Sequence, residues 1–565
     1  MQHVGTLVGL KDDTLAVFLI KDGNAFFSRG MNYEALIEFN KSLTFATLGS
    51  PEMGTAFASR AAVYCEAQLY KRCRENIKLA REFGFPKKNW FELEKLEATC
   101  ENATSDTEVK FCPWSFFDLP LEERNEKVPF VIKALQLRKN DQHGRHIVTT
   151  KDLKTGEIIC IDQPLFGNFE LGTIHSRCRN CFKTNFLSLL PCDKCIGGSK
   201  DNFLYQWKLI LSVLAMYCSR KCRESDASHQ YECKSKVEDK QFLIENYAAV
   251  NIVLSAIRIA GGAENLIEMF KHIKPKTVLE MDLSDPEDPL YQKKLLHAVH
   301  SLSHFPNDDL RLITKANLIH FLPKNLNLSD ENSEKLLKIA NRLQKSFESN
   351  SFPVQEDAHA ILVTGKDKVS DIGGGFFMRD FGTFCYPFVS LLNHSCIPNV
   401  RSVAVENKLV VFATRPIKAG QQIFRHYGPE AFSQPRNVRQ KFLMDYFKFK
   451  CECVACVKNF PMLERIPQQD PKFIAPKFEV SKLTTASAFA KFMASNKYIE
   501  ENYLKQPNFE VSVLENYSWF LVQFIASEAR RIEIRSSRFK WKGIAMGVVF
   551  VVVLCAYVRQ KFVQR

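Results

Sequence analysis

In the first hundred residues, apolar positions recur every three or four residues, a spacing that predicts helices. Lys21–Phe27 and Tyr33–Phe39 flank a turn near Gly30, and Ala56–Tyr64 and Tyr70–Ala80 form a second pair closed by Gly84-Phe85-Pro86. Asn24 and Ser59 lie 35 positions apart and Tyr33 and Tyr70 lie 37 apart, so a helix-pair unit recurs, with Asn89–Cys100 as a capping helix. Residues 101–127 are polar and Pro-containing and read as a linker. From Val128 to Phe166 the pattern shortens to strands, notably Gly144–Thr149 and Gly156–Asp162. A Cys-rich block follows, then a helical stretch over 240–350, strand-like segments over 357–426, and helices again over 459–540.

Composition changes little: 45% hydrophobic and 25% charged residues describe a globular chain and exclude wholesale disorder. The net charge of +14 changes more, because its place matters. Nine Lys/Arg and one Glu fall between Arg530 and Arg565, so +8 of it sits at the C-terminal end. No recognition helix or basic stripe accompanies the cysteines, so sequence-specific nucleic-acid binding is not expected. Met1–Lys11 carries no signal-peptide pattern, and the cysteines are expected in a reducing compartment as metal ligands rather than disulfides.

The cysteine spacing bears this out as a sequence pattern. Cys178-x2-Cys181, Cys192-x2-Cys195, Cys218-x3-Cys222 and His229-x3-Cys233 offer eight ligands, enough for two tetrahedral zinc sites. Residues 196–217 form a long apolar insert that needs burial, unless it is an artefact of gene assembly. Downstream, Cys451-x-Cys453-x2-Cys456 supplies three thiolates, with Cys396 the nearest plausible fourth. Eleven of the 18 cysteines are thereby assigned, leaving seven ordinary thiols.

Cys396 lies within Asn393-His-Ser-Cys-Ile-Pro-Asn399, followed by Tyr427-Gly428 and the Cys-x-Cys-x2-Cys group. That ordered set resembles a SET domain with its post-SET zinc, and the upstream cysteine block resembles a MYND zinc finger. Together the chain resembles the SET and MYND domain-containing protein-lysine methyltransferases, in the branch that carries tetratricopeptide (TPR) repeats. The resemblance implies a multidomain α+β architecture. TPR-like repeats would occupy 20–100, and a β-rich SET domain 128–458 would be split by the MYND finger 178–233 and the helical insert 240–350. A helical C-terminal region would follow.

It also implies roles. Cys178, Cys181, Cys218 and Cys222 would hold one zinc; Cys192, Cys195, His229 and Cys233 a second; Cys396, Cys451, Cys453 and Cys456 a third. All three zincs would be structural. His143, Gly144, Arg145, Asn393, His394 and Phe449 would bind S-adenosylmethionine, Tyr427 would border the lysine channel as the catalytic tyrosine and also touch the cofactor, and Phe447 would wall the channel. The partners implied are proteins with an accessible lysine, histone or non-histone, and peptides bound by TPR and MYND surfaces, in cytoplasm and nucleus. Two departures concern activity: Asp357 stands where the family often has asparagine, and His146 replaces a small residue. The alternative is a weak or inactive SET-fold adaptor that recruits proteins, for example in transcriptional repression.

The chemistry is coherent from first principles. A lysine amine, with an ordinary pKa near 10.4, must lose its proton to attack a sulfonium methyl group. A water-poor aromatic channel favours the neutral amine, and a tyrosine hydroxyl can orient its lone pair. Taken singly, His394 is an ordinary core histidine, and Phe447 and Phe449 are two of 46 phenylalanines. Finally, 543–558 is a charge-free run of 16 residues flanked by Lys542 and Arg559. As a helix it spans about 24 Å, short of a hydrocarbon core of roughly 30 Å. Hydropathy offers a tail anchor, and a buried terminal helix is the alternative.

Overall fold

The computed structural model describes residues 11–103, 116–170 apart from 142, 173–193, 215–226, 229, 233, 247–271, 274–302, 326, 328–357, 378–478 and 483–528. Cys195, nearly all of the 196–217 insert and the 543–558 run lie outside the described residues.

The N-terminal helices are α1 (Asp13–Ser28), α2 (Asn32–Phe45), α3 (Pro51–Glu66), α4 (Tyr70–Glu82) and α5 (Trp90–Glu101). α1 starts well before residue 20, where the repeat region was expected to begin. Asp12 sets this start: its Oδ1 accepts the amides of Thr14 and Leu15, satisfying two N-terminal donors. Ser50 caps α3 in the same way, with Pro51 in the first turn. Gly30, at φ 78°, turns α1 into α2. α1 and α2, and α3 and α4, pack as successive hairpins, and α5 closes the row against α3 and α4.

The split domain begins with β1 (Leu135–Asn140) and β2 (Gly144–Thr149), an antiparallel hairpin, followed by β3 (Ile158–Asp162) and β4 (Phe166–Phe169). A cysteine-bearing excursion supplies β5 (Leu190–Pro191), β6 (Met216–Tyr217) and α6 (Arg220–Glu224). Among the described residues four helices follow: α7 (Tyr247–Ala260), α8 (Ala263–Lys271), α9 (Tyr291–His300) and α10 (Asp330–Asn350). Then come β7 (Ser351–Asp357), β8 (Met378–Cys385), β9 (Asn393–His394), β10 (Val400–Val405), β11 (Lys408–Ala413) and β12 (Phe424–Arg425). The strands form small sheets ordered β10-β11-β3 and β4-β8-β7, with β9 and β12 paired in parallel. These sheets share one apolar core with α7–α10. Among the described residues no single helix is long and apolar enough to cross a membrane.

Two expectations need correction downstream. α11 (Arg436–Phe447) is a helix in a stretch read without one; Pro435 opens it and Lys448, at φ 59°, ends it in a left-handed turn. Conversely, the described residues of 459–484 are mostly not helical: Pro461, Pro467, Pro471 and Pro476 interrupt them, and among them only Leu463–Arg465 forms a 3₁₀ turn. After the short α12 (Val454–Val457), the C-terminal helices are α13 (Thr485–Asn502) and α14 (Phe509–Glu528). They form their own core against β10 and β11.

The N-terminal helices and the cysteine-bearing excursion also share a core, which includes Cys178, Cys192, Tyr217 and Cys233. Its polar centre is Arg60, fully buried. Arg60 donates to Asn76 Oδ1 at 2.9 and 2.6 Å, to Asn40 Oδ1 at 2.8 Å and to the Leu189 carbonyl at 2.6 Å. Asn40 Nδ2 in turn donates to the carbonyls of His175 and Leu187. The polar groups lining this face of the repeats therefore hold main chain of the same molecule.

Candidate active site and metal centres

Cysteines distant in sequence converge as ligand sets. The sulfurs of Cys178, Cys181, Cys218 and Cys222 all lie within 4.8 Å of one another, as do those of Cys396, Cys451, Cys453 and Cys456. Cys192, His229 and Cys233 form a third group, while Cys195, expected to complete it, lies outside the described residues. Four soft thiolates in a closed cage suit zinc, and the first two groups, the downstream one more deeply buried, would leave no open position. Arg439 from α11 donates to Cys456 Sγ at 3.6 Å, offsetting the negative charge of a four-thiolate zinc site. With contacts to Cys396 and Cys451 leading, Cys456 is pulled down to about 6. The sequence reading missed Arg439, because its place depends on the unexpected helix.

Beside the downstream cage lies the proposed reaction site. The loop carrying His143, Gly144 and Arg145 is clamped by Asn393, whose Nδ2 donates to the carbonyls of His143 and Arg145 at 3.1 and 3.2 Å. Ser395 N donates to the Arg425 carbonyl, and the Phe424 amide donates to Asn399 Oδ1. The segments around β9 and β12 are thus stitched on both flanks. Gly144 holds φ 60°, and a Cβ there would meet nothing within 4 Å. Arg145 reaches away, its guanidinium donating to the Ser301 carbonyl at 3.1 Å. His146 is buried with Nδ1 at 3.0 Å from the Gly144 carbonyl, so it braces the loop.

The His394 ring points into the protein. Its Nδ1 accepts the Tyr427 amide at 3.0 Å, and its Nε2 faces Cys396 Sγ at 3.3 Å. Burial pushes its pKa down to about 3, so the ring is neutral. Both ring nitrogens are engaged inside the protein, and only its main chain remains for a cofactor. The Tyr427 hydroxyl donates to the Leu392 carbonyl at 3.1 Å. Burial raises its pKa, which keeps the phenol protonated. Phe447 and Phe449 stand against Tyr427, with ring centroids 4.8 and 6.2 Å away, and Phe449 also meets His394.

Arg425 is a second residue the sequence reading passed over. Its guanidinium lies 4.3 Å from the Tyr427 ring centre and 3.7 Å from that of Phe352. Burial lowers its pKa to about 10, so it remains cationic. Asp357 lies in β7, paired with Met378.

A family model described as SET domain matches residues 144–428, half of the chain. Among curated proteins, the chain is 21% identical over 509 residues to Protein-lysine N-methyltransferase SMYD4 of Danio rerio, covering 78% of this chain and 65% of that protein. It is 25% identical over 342 residues to Histone-lysine N-methyltransferase ASHR1 of Arabidopsis thaliana, covering 58% of this chain and 56% of that protein. The SMYD4 protein of Homo sapiens matches at 20% identity over 572 residues. The chain thus spans less than two thirds of the length of the first two relatives.

Proposed function

The chain belongs to the SET-domain family, and from that premise we propose that it is a protein-lysine N-methyltransferase dependent on S-adenosylmethionine. The observation that carries this reading is the Tyr427 hydroxyl held on the Leu392 carbonyl, beside the loop of His143–Arg145 clamped by Asn393.

The bound cofactor supplies an activated methyl group on a sulfonium. The protein's own residues do the rest. Main chain at 143–145 and 393–394 cradles the nucleoside end. Phe447, Phe449 and Tyr427 make the apolar wall through which a lysine stem enters, excluding water and favouring the neutral amine. The Arg425 cation behind Tyr427 acts in the same direction, since a like charge disfavours an ammonium nearby. Tyr427 Oη and the Leu392 carbonyl then orient the amine lone pair, so rate comes from positioning. The four-cysteine cage holds the aromatic wall, because Phe447, Lys448 and Phe449 run directly into Cys451.

Substrates are proteins with an accessible lysine. Peptide partners would use TPR and finger surfaces other than the face that Arg60 and Asn40 close. We place the chain in cytoplasm and nucleus, with the charge-free 543–558 run and its basic flanks offered to membranes and no sequence-specific nucleic-acid contact. Alkaline carbonate extraction tests the tail. The function itself is tested by incubating the full chain and a Tyr427→Phe variant with methyl-labelled S-adenosylmethionine and a demethylated proteome. Label on lysine from the wild type alone supports the reading; no label from either sinks it.

A further inference from the structure

Three of the seven thiols left unassigned by the sequence come together. The sulfurs of Cys65, Cys73 and Cys100 all lie within 4.8 Å of one another. One comes from the last turn of α3, one from the first turns of α4 and one from the end of α5. Cys73 and Cys100 are 0% and 3% exposed, while Cys65 is only half-buried. Isolated buried thiols also occur in this chain, at Cys160 and Cys385, where each behaves as a small apolar side chain. The α3–α5 group differs because three helices aim their sulfurs at one point.

We propose that Cys65, Cys73 and Cys100 bind a thiophilic d10 cation, Zn²⁺ or Cu⁺, at the junction of the last helical hairpin and α5. A metal–sulfur distance of about 2.3 Å puts ligand sulfurs roughly 3.8 Å apart, a small contraction of the group as it stands. Three thiols give up their protons as three metal–sulfur bonds form, so loading releases protons to solvent. Zn²⁺ would need a fourth ligand, which water could supply on the half-buried Cys65 side; Cu⁺ would be content with three thiolates. Two features offset the net negative charge. Cys73 sits in the first turns of α4, where the helix dipole favours an anion. Arg74 donates to the Cys100 carbonyl at 3.4 Å, which keeps its guanidinium beside the group. The ion would pin α5 to α3 and α4. This inference is independent of methyl transfer.

The test uses the full chain, stripped with chelator under reducing conditions and reloaded with Zn²⁺ or Cu⁺ in separate arms. Iodoacetamide labelling is mapped by mass spectrometry, with half-buried Cys65 as the readout and total bound metal measured in parallel. The expected result is at least a tenfold drop in Cys65 labelling on loading in one arm. Cys65→Ser, at a partly exposed position that tolerates a polar atom, should bind one ion fewer than wild type while Cys178 and Cys451 stay protected. Cys73→Ser should expose Cys65 even in the loaded chain; should that variant not fold, the Cys65→Ser stoichiometry decides. Equal Cys65 labelling in loaded and stripped chains overturns the site. So does equal metal content in Cys65→Ser and wild type, or a Cys65–Cys73 disulfide that forms in air from the loaded chain.

Discussion

His394 joins the proposed reaction site to a metal cage: its Nδ1 accepts the Tyr427 amide at 3.0 Å, which leaves the ring proton on Nε2, aimed at Cys396 Sγ 3.3 Å away. One neutral imidazole thus fixes the tyrosine backbone and donates to a thiol of the four-cysteine cage. Such outer hydrogen bonds orient the ligand and tune its affinity.

Replacing His394 with alanine is therefore expected to weaken zinc at the Cys396 cage by about 10–100-fold, and to lower methyl transfer with it. Competition with a chromophoric chelator reads the first effect. His394→Asn, whose Oδ1 can still take the Tyr427 amide but which cannot reach Cys396, should retain more activity than alanine while still losing zinc. Equal zinc retention in all three proteins would separate the imidazole from the cage.

Tyr427→Phe removes only a hydroxyl donating to the Leu392 carbonyl. Misorienting the reacting amine lowers kcat/KM by on the order of 10²-fold. The loss of one neutral hydrogen bond should cost no more than about 1.5 kcal/mol in stability. Denaturant unfolding alongside the methyl-transfer assay checks the split.

Arg60→Ala should destabilise the N-terminal helices by at least about 3 kcal/mol. It deletes four hydrogen bonds from a cation and leaves Asn40, Asn76 and the Leu189 carbonyl buried without a donor. Arg60→Lys should rescue little, because an ammonium cannot span both asparagines. Limited proteolysis near 103–116 should report the loosened helices first.

Asp162 gives a pH signature. Burial raises its carboxyl to about 7, while the amides of Val389, Phe388 and Gln163 pull it back. Between about pH 4, its ordinary unfolded range, and pH 7 the unfolded chain has released this proton while the folded chain retains it. Stability falls as pH rises through that window and levels off above it, by on the order of 3 kcal/mol. Asp162→Asn should flatten that component, measured as the wild-type minus variant difference in urea stability at pH 5 and pH 8. A constant difference would mean the carboxylate is already charged in the fold.

Zinc removal by a strong chelator should abolish methyl transfer before it unfolds the β-rich core. The Cys396 cage packs in its own small cluster with Phe447 and Phe449, apart from the core of the β1–β11 sheets and α7–α10. Activity and tryptophan fluorescence followed together, with zinc added back, test the order of events.

What the sequence determined by itself is what short-range chemistry can encode. Helical periodicity marked α1–α5, and close cysteine pairs marked most of the ligand sets, because both signals live within a few residues. The Asn393–Asn399 motif and Tyr427 likewise mark a candidate site from the sequence alone. Tertiary structure decided whatever depends on distant segments meeting. Cys65, Cys73 and Cys100 have no ligand-like spacing, and only the packing of three helices makes them neighbours. Arg60 reads as an ordinary helix-face cation until the Leu189 carbonyl arrives against it. His394 carries a family motif, yet its role is set by where the Tyr427 amide and Cys396 fall around one ring, and those distances belong to the folded chain alone.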